Sequence, residues 1–430
     1  MRPDPHLFTD LQKRGLVAQC TAPDALEEHL RTPRTLYCGF DPTADSLHIG
    51  SLLPLTMLRR FQRAGHTPIA LIGGSTGLIG DPSFKATERK LAEQSTVQQW
   101  GEQLSHQIGR FVDFDGGALL ANNYDWTGQL GVLEFLRQVG KHFSVNVMLT
   151  RESVRQRIER PDSGISFTEF SYMLLQAWDF AELHRRHNCT LQIGGSDQWG
   201  NILGGIDLTR RLHGAQVYGL THPLLTQADG GKFGKTESGT IWLDPAKTSP
   251  YAFYQFWLQT ADADVHRFLK YFTDLEVADI DQLKRDHAQT AGRPESQRIL
   301  AEEMTRLVHG QDDLTAAQRI TQALFTGNAQ TLSPTDYAQL KQDGLPATDL
   351  TNIDLPSTPL TALLSQVGLA KSGKQVKDTL ARSAVWINGT PLTMADTMRT
   401  ATLFTPAHAH HGKYHLVRLG KKHHHLFYWP

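Results

Sequence analysis

Tyr37-Cys38-Gly39-Phe40-Asp41-Pro42-Thr43-Ala44-Asp45-Ser46-Leu47-His48-Ile49-Gly50 joins a short apolar run to the start of a helix, and the fold is read outward from it. Residues 35–40 are apolar and bounded by turn residues, which predicts a strand. Leu52, Leu53, Leu55, Met57 and Leu58 then recur at helical spacing until Gly65 ends the run. Asp-Pro and Ala-Asp-Ser mark the turn between the two. His48 and Gly50 therefore fall at a helix start, where unpaired backbone N–H groups and the helix dipole favour an anion, and Thr43 and His48 are placed to face a phosphate. Residues 67–72 predict a second buried strand, which completes a strand-helix-strand unit of the nucleotide-binding kind, with ligands at the strand ends.

Downstream the pattern returns to such strand ends. Residues 73–82 read Gly-Gly-Ser-Thr-Gly-Leu-Ile-Gly-Asp-Pro, with four glycines that allow close backbone approach to a ligand. Asp81, fixed by Pro82, either caps the next helix or holds a ligand. Lys85 and Arg89 follow in a loop. Residues 118–123 predict a further strand and 130–152 helical hairpin material. Residues 167–187 predict a long helix on which Tyr172, Gln176 and Asp179 stand at i, i+4 and i+7, one polar stripe amid Leu174, Leu175, Trp178 and Phe180. A solvent face is one reading of that stripe, but a carboxylate between two large aromatics calls for a buried partner. Residues 189–193 predict a strand entering Gly194-Gly195-Ser196-Asp197-Gln198-Trp199-Gly200-Asn201 and a helix to Leu212, and 217–226 one more strand. Asp229-Gly230-Gly231-Lys232-Phe233-Gly234-Lys235-Thr236 is a flexible loop with two lysines three apart.

A chain of 430 residues is too long for one ordinary core, so two to four domains are expected. No apolar run approaches the ~18–20 residues that span a bilayer, and Met1-Arg2-Pro3-Asp4-Pro5 opens no signal peptide, which places the expected work in the cytoplasm. The three cysteines, Cys20, Cys38 and Cys189, lack paired spacing, so neither a disulfide framework nor a tightly bound metal is expected. The formal net charge of −1 is unevenly spread. From residue 357 onward nine Lys/Arg meet only Asp378 and Asp396, leaving that end at +7, while 34 basic and 42 acidic residues leave the rest at −8. A basic terminal module on an acidic body points to a polyanion partner. Ser249-Pro250 reads as helix cap and first helical residue, with helices to about 325. Residues 327–356 lack a strong period and read as a linker with a short helix. Residues 361–367 and 372–381 then predict two helices, and Val385-Trp386-Ile387-Asn388-Gly389 a strand and turn.

His48-Ile49-Gly50-Ser51 resembles the first signature of class I aminoacyl-tRNA synthetases, with Ser51 where the pattern has a second histidine. The whole opening stretch, the 194–201 loop and Lys232-Phe233-Gly234-Lys235-Thr236, similar to the second signature, resemble the bacterial tyrosyl members of that family over essentially all of the chain. The resemblance implies an α/β, Rossmann-like parallel-sheet catalytic domain at 1–226 with a dimer-interface insertion. It further implies the signature loop and an all-helical anticodon-stem domain at 227–326, a linker at 327–356, and a small basic α+β RNA-binding domain at 357–430. The implied partners are L-tyrosine, ATP with Mg²⁺, tRNA(Tyr) and a second copy of the chain. By the family pattern, Tyr37 and Asp179 grip the phenol, Asp81, Tyr172 and Gln176 the amino group, with Asn123 and Gln198 nearby. Cys38, Gly39, Asp41, Gly50, Ser51, Gly195 and Asp197 belong to the ATP side. Thr43, His48, Lys232 and Lys235 act on the phosphates, helped by Lys85 and Arg89, and Lys374, Lys377 and Arg382 reach tRNA from the second helix of the terminal module. Two alternatives stand beside this reading: a tryptophanyl enzyme of the same fold, and a non-catalytic RNA-binding relative. His423-His424-His425 reads as surface decoration.

Overall fold

The computed structural model describes residues 3–83, 91–159, 164–226, 228, 233–236, 239–289 and 295–430, leaving aside the side chains of 152, 153, 156, 235, 236, 288 and 289. It forms two compact units, residues 1–244 with 261–296, and 245–260 with 297–430.

The first unit is built on six strands, β1 (Gln19–Cys20), β2 (Thr35–Phe40), β3 (Thr67–Ile72), β4 (Leu119–Asn122), β5 (Cys189–Gly195) and β6 (Tyr218–His222), in the order β1-β6-β5-β2-β3-β4. All neighbours from β6 to β4 run parallel, and β1 closes one edge antiparallel. Both β3 and β5 are buried almost without a break, as strands covered on both faces are. The strand order reverses between β2 and β5, and such a switch point leaves a crevice at the carboxyl ends of the strands. Helix α1 (Leu52–Arg63) follows β2 and ends before Gly65, whose φ of 90° is open to glycine. Helix α2 (Phe167–His187) starts at Ser166, whose side chain accepts from the Glu169 N–H, and buries Leu174, Ala177, Phe180, Ala181 and Leu183 with Tyr37, Ile69 and Leu71. Helix α3 (Trp199–His213) follows β5.

Three local expectations change. The turn at His48 is a single 3₁₀ turn, Ile49–Ser51, and its N–H groups are already used: Gly50 donates to His48 Nδ1 at 3.0 Å, Ser51 to the His48 carbonyl and Ile49 to Ile241. The last strand stops at His222, just before Pro223, which has no N–H to give a ladder. Residues 130–152 form no long hairpin but short helices, Val132–Gln138 and Val145–Leu149, with Val132, Leu133, Leu136, Val145, Val147 and Leu149 exposed. Downstream, β7 (Lys235–Thr236) and β8 (Gly239–Thr240) form a two-stranded ribbon in this unit.

The second unit holds helices Pro250–Leu258 and Gln311–Thr326, while Asp262–Phe272 belongs to the first, so the helical stretch is shared between the two. Ser249 caps its helix as expected, accepting from the Ala252 N–H. The segment read as a linker is ordered. Ser333 and Asp336 make a capping box at Pro334–Gln339, and both Asp336 oxygens accept from Arg319 at 2.8 Å. Strand β9 (Ala347–Asp349) then joins β10 (Val385–Ile387), β11 (Thr390–Leu392), β12 (Tyr414–Leu419) and β13 (His423–Tyr428) in the order β11-β10-β12-β13-β9. Asn388 and Gly389, both at positive φ, turn β10 into β11. Tyr414, Leu416 and Leu426 share a core with Tyr251, Ile320, Ala323, Tyr337 and Leu340, which makes the terminal sheet part of this unit and not an appendage. The histidine triplet lies within β13: His425 is buried and bonded to Thr348 at 2.8 Å, so it is not surface decoration.

Candidate active site

A cavity of about 330 Å³ opens at the carboxyl ends of β2 and β5, at the switch point. It gathers Tyr37, Cys38, Gly39, Asp41, Thr43, Gly50, Asp81, Tyr172, Gln176, Asp179, Gly195, Asp197 and Gln198 from segments far apart in sequence. Four of these are aspartates, and no lysine or arginine is among the described lining residues. Such a wall favours an ammonium group.

Asp179 sits at the deep end, 2% exposed. Asn123 Nδ2 donates to it at 3.0 Å and Trp126 Nε1 at 2.9 Å. Burial outweighs both bonds and pushes its carboxyl up to about 7. The Tyr37 hydroxyl is buried near that charge, its pKa raised by burial and then by Asp179, and it has no hydrogen-bond partner among the described residues. An unmatched hydroxyl and a carboxylate on one cavity wall are a receptor for a polar group that gives and takes a hydrogen bond. Asn123 does not line the cavity. Fully buried, it accepts from the Ser75 N–H and donates to Thr76 and Asp179, which makes it the positioner of the carboxylate.

A second group of hydrogen-bonded side chains lines the same cavity. Tyr172 donates to Asp41 at 2.8 Å and Thr76 to the same carboxylate at 2.6 Å, so Asp41 holds both side chains while itself lining the cavity. Gln198 Nε2 donates to Asp81 at 2.8 Å and to Asp197 at 3.2 Å. Because carboxylates accept, Gln198 must turn its oxygen the other way, toward Asn201 Nδ2 at 3.3 Å, and Asn201 donates also to Gln176 Oε1 at 2.9 Å. The chain of amides fixes the polarity of both glutamines. Asp81 also accepts from the Ser83 N–H at 2.9 Å, a contact within its own turn.

Cys38, Gly195 and Asp197 line the same cavity. Burial pushes the Cys38 thiol up to about 12, leaving it neutral, and raises Asp197. Thr43 and Gly50 line the cavity, whereas His48 is exposed and bridged to Trp242, and Ser51 is not on the wall. Gly234 packs its backbone against Ile49, where a Cβ would meet the Ile49 side chain, and Phe233 meets Phe268 with ring centroids 4.9 Å apart. Of the cationic residues expected at the phosphates, Lys232, Lys85 and Arg89 lie outside the described residues, and Lys235 is described by its backbone alone.

Sequence reading missed Thr76, Trp126, Gln192 and His222. Gln192 and His222 line the cavity, each with an unpartnered buried atom among the described residues. A lone amide in the apolar run Cys-Thr-Leu-Gln-Ile was a usable signal for Gln192. Nothing local marks Trp126, which meets Asp179 across 53 positions. In the second unit Lys374 and Lys377 are exposed on helix Gly373–Leu380, whose Val376 and Leu380 face the core. Arg382 lies two residues beyond the helix end, bonded back to the Asp378 carbonyl, and not on the helix.

A family model described as "tRNA synthetases class I (W and Y)" matches residues 29–326, and one described as "Tyrosine--tRNA ligase SYY-like C-terminal domain" matches 336–427. The chain is 57% identical over 427 residues to the tyrosine–tRNA ligase of Aliivibrio fischeri (strain MJ11), covering 98% of each. It is 57% identical over 430 residues to that of Aeromonas hydrophila, covering 99% of each. Among solved structures, a C-terminally truncated Aspergillus nidulans mitochondrial tyrosyl-tRNA synthetase superposes with a TM-score of 0.66 at 32% identity, over 74% of this chain and 94% of that one.

Proposed function

The chain belongs to the tyrosine–tRNA ligases of the class I tRNA synthetases, and from that premise we propose how this cavity activates L-tyrosine with ATP and passes it to tRNA(Tyr). The observation that carries the proposal is the buried Asp179 carboxylate sharing a wall with the unmatched Tyr37 hydroxyl. A phenol hydroxyl donates to the first and accepts from the second. Phenylalanine leaves both unmet, and the indole of tryptophan has a donor but no acceptor for Tyr37. The substrate ammonium sits among Asp81, Tyr172 and Gln176, whose polarity the Gln198–Asn201 amide chain sets.

A carboxyl group at the α-carbon ordinarily loses its proton near pH 3.5, roughly, so the substrate is ionised at neutral pH and attacks the α-phosphorus without a general base. The new bond joins carboxylate oxygen to phosphorus and the bond to pyrophosphate breaks; a tRNA ribose hydroxyl then attacks the acyl carbon of the adenylate, the bond from that carbon to the phosphate oxygen breaks, and AMP leaves as the hydroxyl gives up its proton. Catalysis is positioning and charge. Cys38, Gly195 and Asp197 receive the adenosine, Thr43 and His48 meet the transferring phosphates, and Lys232, Lys235, Lys85 and Arg89 balance the departing charge of ATP, which arrives with its own Mg²⁺. The exposed apolar residues of 132–149 support a second copy of the chain docking there, because a row of such side chains is costly in water. Lys374, Lys377 and Arg382 meet tRNA phosphates, and the work is cytoplasmic.

Exchange of labelled pyrophosphate into ATP tests the activation step. The reading expects exchange with tyrosine, and none above background with tryptophan or phenylalanine at equal concentration. Exchange driven by tryptophan alone overturns it.

A further inference from the structure

His222 closes β6, in register with Gly195 at the end of β5, and lines the cavity with Asp197 and Leu224. The residue is 5% exposed. Its Nδ1 lies 3.0 Å from the Pro223 carbonyl oxygen. A carbonyl only accepts, so Nδ1 carries the proton and Nε2 is a bare lone pair. That Nε2 is buried and has no partner among the described residues. Burial also lowers the imidazole to about 4, so near neutral pH no second proton fills the position.

Among the described residues that line the cavity, three side chains thus carry an unmatched buried atom: the Tyr37 hydroxyl, Gln192 Oε1 and His222 Nε2. Tyr37 and Gln192 are partners in register across β2 and β5, in the phenol half. His222 stands apart from them, at the strand ends beside Gly195. The donors of tyrosine, its hydroxyl and its ammonium, already have Asp179 and the Asp81 group to receive them. What remains for His222 is a donor on the other substrate.

We propose that His222 Nε2 accepts a hydrogen bond from the nucleoside part of bound ATP, either a ribose hydroxyl or the exocyclic amine of the base, and so adds to the selection of that nucleotide. The inference rests on the reading that the Gly195 end of the cavity takes adenosine.

The test is pyrophosphate exchange by the full-length wild type and by His222→Leu, with ATP, 2′-deoxy-ATP, 3′-deoxy-ATP and the triphosphate of purine riboside, which lacks the amine. His222→Leu is expected to raise the KM for ATP roughly three- to tenfold, as for the loss of one hydrogen bond to a neutral acceptor. The tyrosine dissociation constant, read by fluorescence without ATP, stays unchanged. His222→Gln, whose amide oxygen restores an acceptor, recovers part of the loss. For one analogue the wild-type penalty shrinks in His222→Leu, and that analogue names the donor. An unchanged KM for ATP, or equal analogue penalties in both proteins, overturns the proposal. If His222→Leu does not fold, the wild type still decides, since analogues that all match ATP leave no donor for Nε2 to receive. Wild type without tyrosine-dependent exchange sinks the parent reading and this one with it, whereas intact exchange insensitive to His222 sinks this one alone.

Discussion

In the strand-end cavity each aspartate is tied to a named donor: Asp41 to Tyr172 and Thr76, Asp81 to Gln198, Asp179 to Asn123 and Trp126, Asp197 to Gln198. On the terminal module, seven of nine cationic side chains are exposed, and Lys413 and Arg418 lie half-buried over the rings of Tyr414 and Trp386. The first arrangement has no spare parts, because a buried group that loses its partner has no water to turn to. The second has many, because exposed charges act through a shared field that salt screens. Single substitutions should therefore be severe in the cavity and mild on the module.

The largest effect is expected at Asp179. Asp179→Ala removes the proposed acceptor of the phenol and strands the Asn123 and Trp126 donors, so tyrosine binding should weaken by about 2–5 kcal/mol, one hydrogen bond to a charged group together with buried donors left unsatisfied. Fluorescence titration with tyrosine checks it, and Asp179→Asn, which keeps the volume, separates lost recognition from lost folding. Next come Thr43→Ala and His48→Ala, which should slow adenylate formation about 10²–10³-fold while barely moving tyrosine affinity, as expected of donors aimed at charge that develops in the transition state. Single-turnover kinetics distinguishes the two effects. A matching fall in tyrosine affinity would move both residues to the wrong substrate.

The Asp179 carboxyl also makes tyrosine binding depend on pH. Its folded pKa of about 7 means that it is protonated below that pH in the empty cavity. If the phenol needs the carboxylate, affinity drops by up to roughly tenfold per pH unit below 7 and levels off above it. The stability of the empty protein carries the opposite sign: the folded pKa lies above the unfolded one, so this group's contribution is lost as pH rises through about 7. A flat affinity profile from pH 5.5 to 8 would show that the protonated acid serves the phenol equally well. A smaller loss, about 1 kcal/mol, is expected for Asn201→Ala in tyrosine KM, with kcat little changed, since only the orientation of Gln176 and Gln198 is relaxed.

The cavity was largely legible because its residues sit at the ends of strands whose apolar runs are short, buried on both faces and bounded by turns; Thr35–Phe40 and Thr67–Ile72 run to the expected residues. The stripe of Tyr172, Gln176 and Asp179 was legible because a 21-residue helix turns spacing directly into a face. What stayed hidden depends on contacts without local pattern. Trp126 and Asn123 become partners of Asp179 only when β4 and α2 come together. Strand β9 is three residues long and gains its identity from β13, paired 79 positions later at Ala347 and Leu426, so 327–356 looked like a linker. The turn at His48 misled in another way: a helix start promises open N–H groups, but the His48 ring itself accepts from one of them.

The ordered β9 also changes how the module is best tested. Removing everything after residue 356 would strip β9 of its partner and uncover Tyr251, Ile320 and Tyr337, so charge must be altered without cutting the chain. The most direct measurement combines Lys374→Gln, Lys377→Gln and Arg382→Gln in one full-length protein and compares pyrophosphate exchange with tRNA charging at two salt concentrations. The account predicts unchanged exchange, a higher KM for tRNA, and a salt dependence flatter by about 0.7–0.9 in the log–log slope for each phosphate contact removed. Unchanged charging with an unchanged slope, or exchange that falls in step with charging, would contradict the division of labour between the cavity and the basic module.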